Sequence, residues 1–188
     1  SRLSFLLWGI GPDDALLDKA EAGEVHTPEQ VTAEAERMLD SPKSRQRVQR
    51  FFSLWLGYEV LPHDPELSAA MKLESDRLVA RVFEDRLPWH AVLTSDETFL
   101  TPALAEHYGL EPGGSEDGDW VSYGDVPRGG LLSHGSFLAL GSKFGDTSPV
   151  VRGLEVRERL LCLEMAPPPP DLDVDVDSPP PGGAECKA

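Results

Sequence analysis

Residues 64–88, DPELSAAMKLESDRLVARVFEDRLP, form the longest amphipathic segment of the chain. Apolar side chains recur in it every three or four positions, which is typical of a helix with one buried face. The members of this apolar stripe are Leu67, Met71, Leu78, Val79, Val82 and Phe83. Asp64 followed by Pro65 predicts the helix start, because a side-chain oxygen caps the first turn and proline fits the first helical position. Pro88 predicts its end, because proline cannot continue a helix.

The same pairing of a side-chain oxygen with a following proline occurs at four other places. They are Thr27-Pro28, Ser41-Pro42, Thr101-Pro102 and Ser148-Pro149. Each pair predicts a helix start, and Gln30 completes a Thr-x-x-Gln capping box at the first of them. Apolar residues at helical spacing follow three of these starts, over 31–39, 48–55 and 150–161. Pro12-Asp13-Asp14 predicts a further short helix that ends at Gly23.

Few signals for strands exist in the rest of the chain. Only residues 119–126, which follow the turn-rich segment 112–118, look irregular enough for a strand or a loop. The apolar run 131–140 follows Gly129-Gly130 and predicts a buried helix. We therefore expect an all-α, predominantly helical single domain with seven or eight helices.

An acidic, proline-rich tail begins at Pro167. Four consecutive prolines lead into the alternating run DLDVDVD at 171–177, and three further prolines follow at 179–181. Consecutive prolines favour an extended polyproline II spacer without internal hydrogen bonds. Residues 167–188 are therefore predicted to be a linker rather than part of the core.

The composition excludes several classes of function. The 17 basic and 33 acidic residues give a net charge of −16, which would repel nucleic-acid phosphates. No run approaches the roughly 18 apolar residues of a membrane-spanning helix. The two cysteines, Cys162 and Cys186, form neither a disulfide framework nor a paired zinc motif. Cys162, at the end of the last predicted helix, is interpreted as a small core residue.

Candidate chemical groups are scattered along the sequence. His134 is the most interesting of five separated histidines, because a neutral imidazole on its apolar segment could ligate a metal. Its neighbour Ser133 is not a suitable catalytic partner, since adjacent helical residues point about 100° apart. Asp117 and Asp119, in the acidic glycine-rich loop, are candidate ligands for a hard cation such as calcium. The alternative for each of these residues is an ordinary structural role.

Several strings, in a specific order, resemble the planctomycete and myxobacterial domains of unknown function found in large secreted proteins. They are SRLSFLLW at 1–8 with PDD at 12–14, FF at 51–52 with WLG at 55–57, TFL at 98–100 with HYG at 107–109, RGGLL at 128–132, TSPV at 147–150 and the prolines at 167–170. The resemblance covers nearly the whole chain. It implies a helical module over 1–110, a loop over 111–127, and the front part of a cytochrome-associated module over 128–166.

The resemblance also implies a cellular context. Proteins of this kind are exported, and the second module usually continues into a C-x-x-C-H motif that binds a c-type haem. We therefore expect the chain to be part of a larger exported protein, periplasmic or extracellular, with a neighbouring cytochrome-like domain as its partner. No cofactor is expected within residues 1–188 themselves, and Cys186 would attach haem only if Cys-His followed Ala188.

Three hypotheses for function follow. The leading one is a non-catalytic scaffold or interaction module of an exported, cytochrome-linked protein. The second is an extracellular hydrolase in which His134 and carboxylates converge in a cleft. The third is a calcium-stabilised adhesion module that uses the acidic loops.

Overall fold

Five helix starts were predicted from an oxygen followed by proline, and all five are confirmed. A computed structural model describes residues 1–142 and 148–166. In each predicted N-cap, the side-chain oxygen accepts a backbone amide of the first turn; these residues are Thr27, Ser41, Asp64, Thr101 and Ser148. The predicted capping box is also present, with Gln30 accepting from the Thr27 amide.

Helices dominate the described residues. They are α1 (Arg2–Leu7), α2 (Asp14–Glu21), α3 (Pro28–Leu39), α4 (Pro42–Trp55), α5 (Pro65–Glu84), α6 (Ala91–Thr94), α7 (Pro102–Tyr108), α8 (Gly135–Leu138) and α9 (Pro149–Glu155). A 3₁₀ turn at Leu131–Ser133 precedes α8, and a π-helical turn at Val156–Leu160 follows α9. None of the helices described is long and apolar enough to cross a membrane.

A small sheet corrects the all-α prediction. Strand β1 (Glu97–Leu100) pairs antiparallel with β2 (Asp119–Ser122), with Phe99 opposite Trp120. The possible strand at 119–126 is therefore confirmed over its first residues, whereas β1 was not predicted. A strand of four residues carries too little periodicity to be recognised, and its partner lies about 20 residues away in the sequence.

Helix α5 is the centre of the fold. It packs against α4, α6, α7, α8 and β1. One core cluster joins its C-terminal half to α4 and includes Phe52, Leu56, Tyr58, Leu78, Val79, Val82, Val92 and Leu131. A second joins its N-terminal half to β1 and α7 and includes Met71, Leu100 and Leu104. Most of the predicted stripe of α5 is thus buried in the core, although Phe83 at its end is exposed.

The apolar run 131–140 is buried, as predicted, but it is not one continuous helix. The 3₁₀ turn ends at His134, whose backbone is extended (φ −67°, ψ 145°), and α8 begins at the next residue. Gly130, just before the turn, has φ 56°, and its amide donates to the Ser95 carbonyl. A Cβ at Gly130 would lie 2.4 Å from the carbonyl carbon of Leu93. This close approach requires glycine and fixes the path of the chain across α6.

The last predicted helix differs from the expectation. Beyond Glu155 the backbone widens into the π turn, which rotates the following side chains away from the predicted stripe. After this turn, Leu161 is 59% exposed and Cys162 is exposed rather than part of the core. Val150, in the first turn of α9, is 83% exposed as well, so the predicted stripe is not buried at its start either. The π turn is held by Arg159, which donates to the carbonyl of Trp55 at 2.6 Å. The predicted linker at 167–188 lies outside the described residues.

Candidate functional site

A group of buried polar side chains lies where α5, β1, α7 and α8 meet. We call it the α5 polar cluster. Its members are Glu74, Ser75, Thr98, Tyr108, His134 and Ser136, and all except Tyr108 are 0% exposed. Buried polar atoms are costly unless they are bonded, so their partners determine what the cluster can do.

Glu74 is the only carboxylate of the cluster. Its Oε1 accepts a hydrogen bond from Thr98 at 2.6 Å, and its Oε2 accepts one from the Tyr108 hydroxyl at 2.6 Å. Burial raises the pKa of Glu74 to about 7, although both hydrogen bonds oppose the increase by stabilising the ionised form. Near neutral pH this carboxyl group is therefore close to half ionised.

Tyr108 joins α5 to the chain after β2. Besides donating to Glu74, its hydroxyl accepts from the backbone amide of Gly135 at 2.5 Å. The guanidinium of Arg128 lies over the Tyr108 ring at 3.8 Å and donates to the Ser133 carbonyl at 2.6 Å. Arg128 thus places a positive charge beside the buried carboxyl group.

His134 is completely buried and neutral. Its Nδ1 lies 3.0 Å from the Ser75 hydroxyl, which in turn lies 2.6 Å from the Ser136 hydroxyl. Its Nε2 lies 3.8 Å from Oε1 of Glu74 and has no hydrogen-bond partner among the described residues. Burial, with a smaller contribution from Arg128, lowers the pKa of His134 to about 3. The contact with Glu74 is therefore not an ion pair at neutral pH.

The predicted hydrolytic residues are partly brought together. His134 lies beside a carboxylate, as the hydrolase hypothesis required, and its hydroxyl partner is Ser75 rather than the adjacent Ser133. Serine, histidine and glutamate are the group types of nucleophilic catalysis. However, these three side chains are closed off from solvent in this conformation, so no substrate can reach them. The arrangement instead joins polar groups from four elements by hydrogen bonds.

The other predicted ligands lie elsewhere. Asp117 and Asp119 are exposed, and the Asp119 carboxylate accepts from the Trp120 amide. Neither makes a hydrogen bond to the α5 polar cluster. Within 1–142 and 148–166, no group of three or more His, Cys, Asp or Glu side chains is arranged to hold a metal ion. Cys186 lies outside the described residues.

Several members of the cluster were not singled out from the sequence. Glu74 and Ser75 lie between Met71 and Leu78 on α5, at the positions where the helical period calls for apolar side chains. Polar residues at core positions were therefore a readable signal of a buried network. Thr98 and Tyr108 fall within strings that carried the family resemblance, but nothing local in the sequence shows that they meet α5.

A separate buried carboxylate, Glu34, links α2 to α3. It is 1% exposed and accepts from Lys19 at 2.5 Å and from Arg37 at 2.7 Å. Arg37 also donates to Asp13, the N-cap of α2. The hydrogen bond from Arg37 lowers the pKa of Glu34, and the bond from Lys19 adds to that effect. This ion-pair network stabilises the N-terminal helices around Trp8.

Two family models match the chain. Residues 1–110 match PSD4, a protein of unknown function (DUF1592), which covers more than half of the sequence. The chain belongs to the DUF1592 family. Residues 128–185 match a second model, PSCyt3, a protein of unknown function (DUF1588). The predicted resemblance to domains linked to planctomycete cytochrome-associated proteins is thereby confirmed. No curated protein and no solved structure matches the chain.

The α5 polar cluster spans the two matched regions. Glu74, Ser75, Thr98 and Tyr108 belong to the DUF1592 region, whereas Arg128, His134, Gly135 and Ser136 belong to the region that matches DUF1588. The bonds from Tyr108 to Gly135 and from Ser75 to His134 therefore cross from one region to the other. The two regions share one buried interior.

His134 is poorly placed to hold a haem. Its Nε2 is a possible iron ligand in chemical terms, but it is fully buried and lies 3.8 Å from a carboxyl oxygen of Glu74.

Proposed function

We propose that this chain is a non-catalytic scaffold module that holds its two family regions as one rigid unit. The observation that supports this most strongly is the α5 polar cluster itself. Its hydrogen bonds join the two regions, and all its members except the partly exposed Tyr108 are closed to solvent. A buried network that is almost fully bonded gives rigidity and a unique arrangement, but it offers no surface for a substrate.

We propose further that the scaffold serves a cytochrome-like domain in an exported protein. The support is the PSCyt3 match and the set of strings that resemble secreted, cytochrome-associated proteins. In this proposal the module positions its neighbour and does not itself take part in electron transfer. Its rigidity would fix the distance between that neighbour and a redox partner.

The complete natural protein tests the cytochrome link. After purification from its source and denaturing electrophoresis, a peroxidase stain detects haem that is covalently attached. We expect a stained band at the size of the complete protein and none for residues 1–188 expressed alone. A complete protein without covalent haem would contradict the cytochrome link. The scaffold role would then be tested by the unfolding measurements alone.

A hydrolase is the second candidate, and one observation favours it. Ser75 lies 3.0 Å from Nδ1 of His134, with Glu74 on the other side of the ring. An opening of α8 would be needed to expose this hydroxyl group. A fluorophosphonate probe, which labels activated serines, distinguishes the two functions. Labelling of the wild type that is lost in Ser75→Ala would favour the hydrolase, whereas the scaffold proposal expects no labelling of either protein.

A further inference from the structure

An aromatic surface lies at the C-terminal ends of α4 and α5. It consists of Phe51, Phe52, Trp55, Phe83 and Trp89. Phe52 stacks on Trp89 with ring centroids 4.9 Å apart, and Phe51 stacks on Trp55 at 6.0 Å. Phe83 contacts Phe52 at 6.0 Å. The five rings therefore form one continuous group rather than isolated side chains.

Much of this aromatic surface is open to solvent. Phe51 is 56% exposed, Phe83 is 48% exposed and Trp89 is 41% exposed. Leu54 and Leu87, beside the rings, are exposed as well. Single exposed apolar residues are ordinary, but a contiguous exposed patch marks a surface that binds something.

The π turn at Val156–Leu160 lies beside this surface. Arg159 donates to the Trp55 carbonyl, and Leu160 packs on the core cluster that contains Phe52. Pro167 follows Leu160 by seven residues, which can span at most about 24 Å. A linker of this length is long enough to bring the proline run at 167–170 to the rings.

The chemistry of the tail suits the aromatic surface. Proline-rich segments in the polyproline II conformation dock into grooves lined by aromatic side chains, where the rings pack against the pyrrolidines. Four prolines extend about 12 Å, and Phe51 and Trp55 lie about 6 Å apart along α4, so the run can cover both. The acidic run 171–177 follows the prolines directly.

Basic side chains flank the aromatic surface. Arg50 precedes Phe51 on α4, and Arg86 lies between Phe83 and Trp89 in sequence; both are exposed. Of the nearby acids, Glu84 pairs with Arg45 and Asp85 pairs with Arg81. Glu59, which Arg50 also faces, pairs with Lys72. The charge around the rings is therefore balanced or positive, although the chain as a whole carries −16. This local charge favours an acidic segment.

We propose that the proline run at 167–170 docks on the aromatic surface of its own chain, with the aspartates of 171–177 directed towards Arg50 and Arg86. The tether makes this binding intramolecular, so the effective concentration of the tail is in the millimolar range and a weak contact suffices. The docked tail would set the direction in which the chain leaves the module. This inference does not depend on a haem or on the scaffold role.

Paramagnetic labelling of the full 188-residue chain tests the proposal. A variant with Cys162→Ser, Cys186→Ser and Leu172→Cys carries one nitroxide label beside the proline run. We expect the indole N–H signals of Trp55 and Trp89 to broaden, while that of Trp8, which lies in a different core cluster, stays sharp. Broadening should be lost when the four prolines of 167–170 are replaced by serine, and it should weaken at high salt.

Two matched variants and a mixing experiment complete the test. Phe51→Ser should reduce the broadening at Trp89, whereas Leu17→Ser, which removes a similarly exposed apolar residue from α2, should not. A mixture of labelled unenriched chains and unlabelled ¹⁵N-enriched chains should show no broadening. Sharp Trp55 and Trp89 signals in the labelled protein would overturn the proposal. Broadening in the mixture would also overturn it, because the occupant would then be the tail of a second copy.

Discussion

The Tyr108 hydroxyl group lies 2.6 Å from Oε2 of Glu74 and, on its other side, 2.5 Å from the backbone amide of Gly135. One oxygen atom thus satisfies a buried carboxyl group on α5 and a buried amide at the start of α8. The contact makes Tyr108 a direct link between the two regions matched by different family models.

Tyr108→Phe should therefore be strongly destabilising. The substitution leaves both Glu74 and the Gly135 amide without their partner, and each such loss costs roughly 1–3 kcal/mol, so we expect a decrease of roughly 2–4 kcal/mol in the free energy of unfolding. Urea denaturation measures it. Tyr123→Phe is the matched control, because the buried Tyr123 hydroxyl lies near Thr98 and Ser133 but makes no well-formed hydrogen bond to a described residue, so we expect a smaller loss. Equal losses in the two variants would contradict the role given to Tyr108.

Glu74→Gln should change how stability depends on pH. The pKa of Glu74 is raised to about 7 from its usual 4.5, so its contribution to stability is present at acid pH and is lost as the pH rises through 7. The advantage of the wild type over Glu74→Gln should therefore be larger at about pH 5 than at about pH 8, by about 2 kcal/mol. Urea unfolding of both proteins at the two pH values measures this difference. A difference that does not vary with pH would show that Glu74 is ionised throughout.

Glu34→Gln should show the opposite dependence. The bonds from Arg37 and Lys19 lower the pKa of Glu34 below 4.5, so the stability it contributes is present above that value and is lost as the pH falls. We expect the substitution to cost about 1–2 kcal/mol at about pH 6 and less at about pH 3, since the partner cations are partly exposed. Unfolding curves at both pH values provide the measurement. A loss of stability in Glu34→Gln that is larger at the acidic pH than near neutral pH would contradict the ion-pair network.

Gly130→Ala should destabilise the protein, because the added Cβ collides with the backbone of α6. A Cβ there would meet the carbonyl of Leu93, and the φ of 56° is unfavourable for alanine. We expect a loss of roughly 2–4 kcal/mol, seen as a lower melting temperature. Gly153→Ala is the control: it lies within α9 with open space around it, and alanine should stabilise the helix by up to about 1 kcal/mol. Similar changes in melting temperature for Gly130→Ala and Gly153→Ala would show that the chain at Gly130 can shift away from α6.

Calcium should leave the melting temperature unchanged. Among the described residues no cluster of ligands is arranged for a metal, and a calcium ion needs roughly six to eight oxygens. The thermal unfolding curves in about 1 mM calcium and in excess chelator should therefore give the same melting temperature. A rise with calcium that is abolished by Asp117→Asn and Asp119→Asn would instead support the adhesion hypothesis.

Local chemistry in the sequence was sufficient to predict where the main helices begin. The N-cap oxygen and the following proline act within one turn, so Thr27, Asp64 and Ser148 could be recognised without knowing the rest of the fold. The pairing of β1 with β2 could not be recognised in this way, because it depends on a contact between distant residues. The exposure of Cys162, which lies beyond the π turn, could not be recognised either, because no periodic pattern indicates that turn.

The candidate site could be predicted only in part. His134 was identified from its place in an apolar run, and the polar pair Glu74-Ser75 within the stripe of α5 was visible but was not interpreted. Their convergence with Thr98 and Tyr108 arises from chain reversals after α5 and after β2, and it needs the tertiary structure. The shift of the His134 pKa to about 3 depends on complete burial, which composition and spacing do not determine.

Residues 111–118, which precede β2, contain no member of the α5 polar cluster, and most of their side chains are exposed. This segment can therefore be lengthened or shortened at little cost, whereas β2 and the buried Tyr123 that follow it pack against the core. Recombination within this segment would be destabilising. A foreign sequence on one side of it would leave the buried Glu74 carboxyl group beside side chains that do not complement it. The two regions must accordingly be inherited together or change together.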